Sequence, residues 1–439
     1  MYTNKQILRV SYPIFLSLLA QNIVNVTDTA FLGRVGEVEL GASAMGGLYY
    51  VCIYTIAFGF STGSQSVIGR RNGERNYKAI GPVVIQGLFF LMALAALFFL
   101  LSRQMAGVMR FLISSDVIRE ATMEFLDWRV YGFFFSFVNV MFRALFVGIT
   151  RTKVLTWNAL LMALVNVLLD YLLIFGNGGF PRMGIQGAAV ASVIAEGVSV
   201  VFFLIYTYLT VDRQKYGLNR FRSFNVVLLK QVLGISVFMM LQQFVSMSTF
   251  FLFFIVVERL GQRELAVANI IRSVYVVMFI PVNALATTTN TLVSNIIGEG
   301  KIPQVIPLIR RIALISSGGM ICFSALLCLF SHAILSIYTN EASLIADSIP
   351  SLYVIAVTTL VSSVATVVFN GLSGTGNTRP ALMLELGVLV VYILFIYLAG
   401  VQFRQPVHIC YLCELIYFLS LLAGCVLYFR FASWEKKKI

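Results

Sequence analysis

Apolar runs of roughly 20 residues follow one another along the whole chain, each long enough to cross the hydrocarbon core of a bilayer as a helix. The runs are continuous rather than alternating, which excludes a membrane β-barrel. Of 439 residues, 59% are hydrophobic and 12% charged, with a mean hydropathy of +0.89. A soluble domain of this size carries about a quarter charged residues. Hydropathy predicts about 12 spans, from 8–32 at one end to 407–431 at the other. The predicted fold is an all-α membrane protein.

The chain is also written twice. Arg34-Val-Gly36-Glu-Val-Glu39-Leu40 returns as Arg259-Leu-Gly261-Gln-Arg-Glu264-Leu265. At the same offset of about 225 residues, Tyr50 meets Tyr275, Thr62 meets Thr287, and Gly73-Glu74 meets Gly298-Glu299. Gly148…Thr152-Lys153 returns at nearly that offset as Gly374…Thr378-Arg379. Six spans per copy is an even number, so the copies share one orientation and are parallel repeats. This predicts two pseudo-symmetric six-helix lobes, over 1–211 and 230–439, joined by a cytoplasmic linker over 212–229.

The formal net charge of +13 is placed as a topology signal rather than as a nucleic-acid surface. With the N-terminus inside, the inner loops and tails hold roughly 21 Lys and Arg against roughly 8 outside. Arg70, Arg71, Arg75 and Lys78 crowd one inner loop; Arg213, Lys215, Arg220, Arg222 and Lys230 crowd the linker; Lys436, Lys437 and Lys438 close the tail. Both termini are expected in the cytoplasm, in a multi-pass inner (plasma) membrane protein whose basic loops meet anionic lipid. The outer stretch from Ser102 to about Glu124 reads as a long connection. Six cysteines lie in apolar runs and read as packing residues, the Cys410 and Cys413 spacing included.

An ionised carboxylate at the bilayer centre costs about 2.5–3.5 kcal/mol or more, so buried acids are functional candidates. Asp28 and Asp170 each lie four or five residues before the outer end of a span, roughly 6–8 Å deep, and can face each other. Asn166 precedes Asp170 by one helical turn and Asn25 precedes Asp28 by three residues, so each shares its aspartate's face. Ser192 enters from span six at a similar depth. Such an oxygen cluster suits a proton or a small alkali cation. At the repeat offset Asp28 aligns with Phe253 and Asp170 with Ile396, so the lobes share a scaffold but not a chemistry. Glu414 aligns with Ala188 and is a candidate for a second-lobe cavity, with Gln243 and Asn283 as polar lining. Glu385 and Glu196 read as acids able to snorkel, the latter also able to cap the aspartates from below. Arg129, Arg143 and Arg272 fall near span ends, so the cavity reads as neutral to acidic. No phosphate loop, histidine metal pair or nucleophile elbow is present in the sequence, which argues against an enzyme.

The motifs resemble those of the multidrug and toxic compound extrusion (MATE) family. The resemblance rests on Pro13…Gln21…Asp28-Thr29…Gly33, Asn72-Gly73, Gly148…Thr152-Lys153, Asn166…Asp170…Phe175-Gly176 and Gly184…Gly187-Ala188-Ala189…Ala191-Ser192. It implies a V-shaped pair of lobes that exports small organic cations by alternating access, coupled to H+ or Na+ and needing no cofactor. The family's cation ligands carry over to Asp28, Asn166 and Asp170 (a possible Na+ site), with Ser192 as a hydroxyl, Ala188 as a carbonyl, Gln21 in the cavity and Pro13 as the hinge. The neutral Gln242-Gln243-Phe244 replaces an acid found in span seven of one branch, which points to the DinF-like branch. The expected partners are small organic cations and membrane lipids, with no nucleic acid and a monomeric chain. The alternative is a lipid-linked glycan flippase of the same superfamily.

Overall fold

In lipid every backbone polar group must be satisfied internally, and helices do so within one segment. The computed structural model describes residues 2–105, 107, 109–110, 113, 115–219 and 224–436, and among these there is no β-strand. Arg220, Arg222, Lys437 and Lys438 of the basic clusters lie outside the described residues. The first half contains α1 (Asn4–Val35), α2 (Glu37–Gly73), α3 (Ile80–Ser102), α4 (Asp116–Arg129), α5 (Gly132–Gly148), α6 (Lys153–Phe175) and α7 (Ile185–Thr210). The second contains α8 (Val226–Glu258), α9 (Gln262–Gly298), α10 (Val305–Leu329), α11 (Ala342–Gly374), α12 (Thr378–Ile396) and α13 (Leu412–Phe431). A π-helical turn, Tyr397–Gln402, extends α12.

Among the described residues eleven helices are long and apolar enough to span a membrane, and α4 with α5, bent by 54°, makes a twelfth if the pair is one span. The stretch before Glu124 is thus not all connection. Ser115 caps α4 by accepting a hydrogen bond from the Ile118 N–H at 3.4 Å. The acidic Asp116 in the first turn complements the helix dipole.

The chain forms two compact units, Tyr12–Met240, and Leu241–Ile439 together with Met1–Ser11. The division therefore falls inside α8 rather than in the linker. Small residues explain why the start of α8 belongs with the first unit. A Cβ on Gly59 of α2 would come within 2.5 Å of the Met240 Cα, and one on Gly63 within 2.6 Å of the Ser236 Cα. This i, i+4 glycine pair lets two helices meet backbone to backbone. The first turns of α1 join the second unit because Ile7 is buried in one apolar cluster with Leu292, Ile296, Ile309 and Ile312. The Arg311 guanidinium also donates to the Tyr2 carbonyl at 3.0 Å.

The duplication is visible in the packing of each unit. Gly148 of α5 leaves no room for a Cβ beside Ile68, with the Gln65 carbonyl oxygen 3.2 Å away. At the repeat offset Gly374 of α11 is pressed against the Asn290 carbonyl oxygen, 2.6 Å from where its Cβ would be. Gln65 and Asn290 are themselves a repeat pair, so the same glycine meets the same carbonyl twice.

Candidate functional site

The first unit encloses a cavity of about 470 Å³, within the usual range for small-molecule sites. Its walls come from α1, α2, α4, α5, α6 and α7. Gln21, Asn25, Asp28, Asn166, Ala188 and Ser192 all line it. Asp170 lies behind Asn166 with no solvent exposure.

Local sequence features place these groups. Gly176, with φ 74°, ends α6 in the left-handed conformation that favours glycine. Gly187 of α7 then lies directly on the Leu173 backbone, where a Cβ would stand 2.8 Å from the carbonyl oxygen. That close approach brings the Ser192 hydroxyl within 3.4 Å of the Asn166 amide. The amide orientation that satisfies all neighbours turns Nδ2 toward the acids. Nδ2 then donates to Asp28 Oδ1 at 2.9 Å and to Asp170 Oδ2 at 3.3 Å. Ser192 is left to donate to the amide oxygen.

The Asp28 and Asp170 carboxyls are also within hydrogen-bonding reach of each other. Two carboxylates hold such a contact only if they share a proton or a cation. Asp170 Oδ1 has no hydrogen-bond partner among the described residues. The donor set, two carboxylates, an amide and a hydroxyl, fits a proton or a small hard cation. Asn25 lines the cavity without a side-chain hydrogen bond to either acid. Pro13 lies inside α1, near where the chain passes from one unit to the other. Its carbonyl accepts a hydrogen bond from Thr156 Oγ1 of α6 at 3.0 Å.

Arg129 and Arg143 are not confined to the span ends: both line the cavity, opposite in sign and equal in number to Asp28 and Glu196. Arg129 ends α4 at the 54° bend, which carries it off the span end and onto the cavity wall. Its Nη1 donates to Glu196 Oε2 at 3.0 Å and its Nη2 to Glu196 Oε1 at 2.7 Å. The guanidinium also stacks 3.5 Å from the centroid of the Tyr50 ring. Tyr50 Oη donates to Ser136 Oγ at 2.9 Å and lies 3.1 Å from both Glu196 oxygens. Glu196 is thus neither snorkelled nor a cap on the aspartates; it is the counter-ion of Arg129.

Below this pair, Asn139 Nδ2 donates to the Glu196 carbonyl at 3.0 Å and Asn139 Oδ1 accepts from Ser199 at 2.9 Å. Asn158 Nδ2 donates to Ser199 Oγ at 2.7 Å. The arginines and this amide network were not among the expected site residues. Their signal was the polar spacing of Ser136, Asn139 and Arg143 along one face of α5.

In the second unit the positions equivalent to the aspartates, Phe253 and Ile396, belong to one buried apolar cluster. Its acids sit elsewhere. Glu414 accepts a hydrogen bond from Tyr392 Oη at 3.1 Å and is also bonded by Tyr275. Tyr275 is the repeat partner of Tyr50, so both copies use that tyrosine to hold a glutamate on their last helix. Glu385 does not snorkel: it is 2% exposed and accepts from Ser246 and, at 3.1 Å, from Tyr417. Gln243 is half-buried and Asn283 exposed, and neither lines the first-unit cavity. Arg272 stacks on Phe254 with the guanidinium carbon 5.2 Å from the ring centroid. Cys410 and Cys413 are buried, and no cluster of three metal-ligating side chains occurs among the described residues.

The MatE family profile matches residues 13–172 and again 239–398, the second match displaced by the offset that the paired motifs show. A probable multidrug resistance protein NorM of Thermotoga maritima is 22% identical over 389 residues, covering 87% of this chain and 82% of that one. Two solved structures share the fold at 20% identity, each covering 99% of this chain and 97% of its own. One is a MOP superfamily transporter from Pyrococcus furiosus Vc1 (DSM3638), at a TM-score of 0.90. The other is an outward-facing multidrug resistance MATE family transporter, at 0.89. With most of the chain covered by the paired family match, the protein belongs to the MatE family of multidrug efflux transporters and is a multi-pass membrane transporter, not an enzyme.

Proposed function

We propose that the chain is a secondary antiporter that exports amphipathic, mostly cationic organic compounds in exchange for H+ or Na+ by alternating access. The observation that supports it is the Asp28–Asn166–Asp170 cluster, an acid pair bridged by one amide, with Asp28 and Asn166 in the cavity wall. Two buried acids without a basic partner of their own repel each other when both ionised, so the pair holds a cation or a shared proton. Binding and release of that ion at α1 supplies the free-energy difference between cavity states, because a ligand shifts an equilibrium only by its differential affinity. Pro13 breaks the hydrogen-bond ladder of α1 and is the hinge at which the helix bends. No cofactor takes part in this scheme, and the working unit is a monomer in the inner membrane.

The glycan flippase alternative needs a strongly cationic cavity for a pyrophosphate. Arg129 is neutralised by Glu196, and the one further arginine of the lining, Arg143, is matched in number by Asp28, which counts against it. The deciding experiment is dye export from proteoliposomes under separately imposed Na+ and pH gradients. Export driven by neither gradient would sink the antiport reading. Cysteine labelling in intact cells tests orientation: the linker over 212–229 and both termini should be protected from outside.

A further inference from the structure

The cavity lining contains four charged side chains, Asp28, Arg129, Arg143 and Glu196. Three have partners within the site. Asp28 shares Asn166 with Asp170, and Arg129 is forked onto Glu196. Arg143 is the exception. It lies on α5 five residues before Gly148 and is only partly exposed. Its guanidinium carbon stands 4.9 Å from the centroid of the Phe58 ring, and no carboxylate lies within 4.0 Å of it among the described residues.

Nearby acceptors are already engaged. The Asn139 oxygen one turn away accepts from Ser199, and the Asn158 oxygen is 3.0 Å from the same hydroxyl. The acid pair is too far to serve as counter-ion. Counting residues from the inner ends of α5 and α6 separates Arg143 from Asp170 by on the order of 15 Å in depth. A ring face recovers only part of what removing a charge from water costs. An unpaired guanidinium in a cavity wall is therefore a site for an anion. Its planar fork matches a carboxylate in two parallel hydrogen bonds.

We propose that Arg143 is the residue of this cavity that engages a carboxylate of a bound amphipathic compound, and that it sets the preference between a carboxylate-bearing compound and its uncharged analogue. Tyr54, which also lines the cavity and stacks on Phe58 with centroids 6.1 Å apart, provides a flat surface for the apolar body of such a compound. The inference rests on reading the cavity as the export route.

A matched pair of dyes tests it: rhodamine B, with a free carboxylate, and its ethyl ester, in which that carboxylate is capped by an ethyl group and uncharged. Binding to purified protein is measured by fluorescence polarisation, and export in proteoliposomes. Arg143→Gln should weaken rhodamine B binding by about tenfold or more, the loss expected for a charged hydrogen-bonded pair. Ester binding should stay within twofold, which also reports that the variant is folded. Arg143→Lys should fall between, since it keeps the charge and loses the fork. Equal effects of Arg143→Gln on both dyes, or wild-type protein that binds the ester and not the acid, would overturn the proposal. Should Arg143→Gln misfold, an Arg143→Lys variant that binds both dyes as the wild type does would overturn it too. If wild-type protein exports neither dye while Arg143→Gln still selectively loses rhodamine B binding, the export reading fails and the carboxylate site stands.

Discussion

Arg129 and Glu196 form a two-pronged ion pair, with side chains 12% and 13% exposed, at the bend between the two pieces of the fourth span. Both charges are largely withdrawn from water, so each depends on the other. Breaking such a pair by removing one partner costs about 3–5 kcal/mol.

The bend has a steric requirement at Gly132. A Cβ there would overlap Arg129 Nη1, approach Glu196 Oε2 to 2.5 Å and approach Tyr50 Oη to 2.9 Å. Gly132→Ala should therefore destabilise the protein by about 1–3 kcal/mol, as overpacking does. The measurement is thermal unfolding in detergent, with Gly47→Ala, where a Cβ would meet nothing within 4 Å, as the harmless comparison.

Asp28→Asn and Asp170→Asn should each reduce gradient-driven export by at least tenfold while leaving expression near normal. The amide keeps the size and much of the hydrogen bonding but cannot carry the coupling charge. Drug resistance of cells carrying either variant at wild-type level would remove the acid pair from the coupling step.

Glu414→Gln should change relative affinity among dyes while export stays gradient-dependent. Its carboxyl is held by Tyr392 and Tyr275, in a unit whose equivalents of the coupling acids are Phe253 and Ile396. Uptake of several dyes under one imposed gradient is the readout. Loss of gradient dependence for every dye would place the coupling ion in the second unit as well.

Thr156→Val removes the one hydroxyl that ties the Pro13 carbonyl to α6. A hydrogen bond of this kind is worth about 0.5–1.5 kcal/mol, so global stability should change little. Amide hydrogen exchange over residues 9–18 of α1 should quicken several-fold. Unchanged exchange there would deny the contact a role in restraining the hinge.

Most of the scaffold could be read from residues alone because a bilayer leaves few choices: apolar length marks a span, and a repeat of offset and parity sets two lobes of one orientation. The acid pair was legible for a similar reason, since Asn166 and Asp170 sit one turn apart at the depth of Asp28. Arg129 was not. Hydropathy sees a span from 126 to 148 as one straight piece and puts Arg129 at its outer edge, whereas a 54° bend redirects it into the cavity. Arg143 also reads as a span-end residue by hydropathy, although Ser136, Asn139 and Arg143 mark a polar face at helical spacing. Distance from the span end alone lets Glu385 reach water; the structure closes Ser246 and Tyr417 over it.

The glycine-to-carbonyl joints at Gly148 and Gly374 have a mechanical meaning. At Gly374 the two backbones touch with no side chain as cushion, so no rotamer change can absorb a displacement; at Gly148 the Ile68 side chain is wedged into the same joint and fills it. Each half is thereby clamped at one end, like two beams riveted together. Compliance is left to helices whose ladder of hydrogen bonds is missing a rung, α1 at Pro13, α9 at Pro281 and α11 at Pro350, and of these α1 is the one that carries an acid of the candidate ion site.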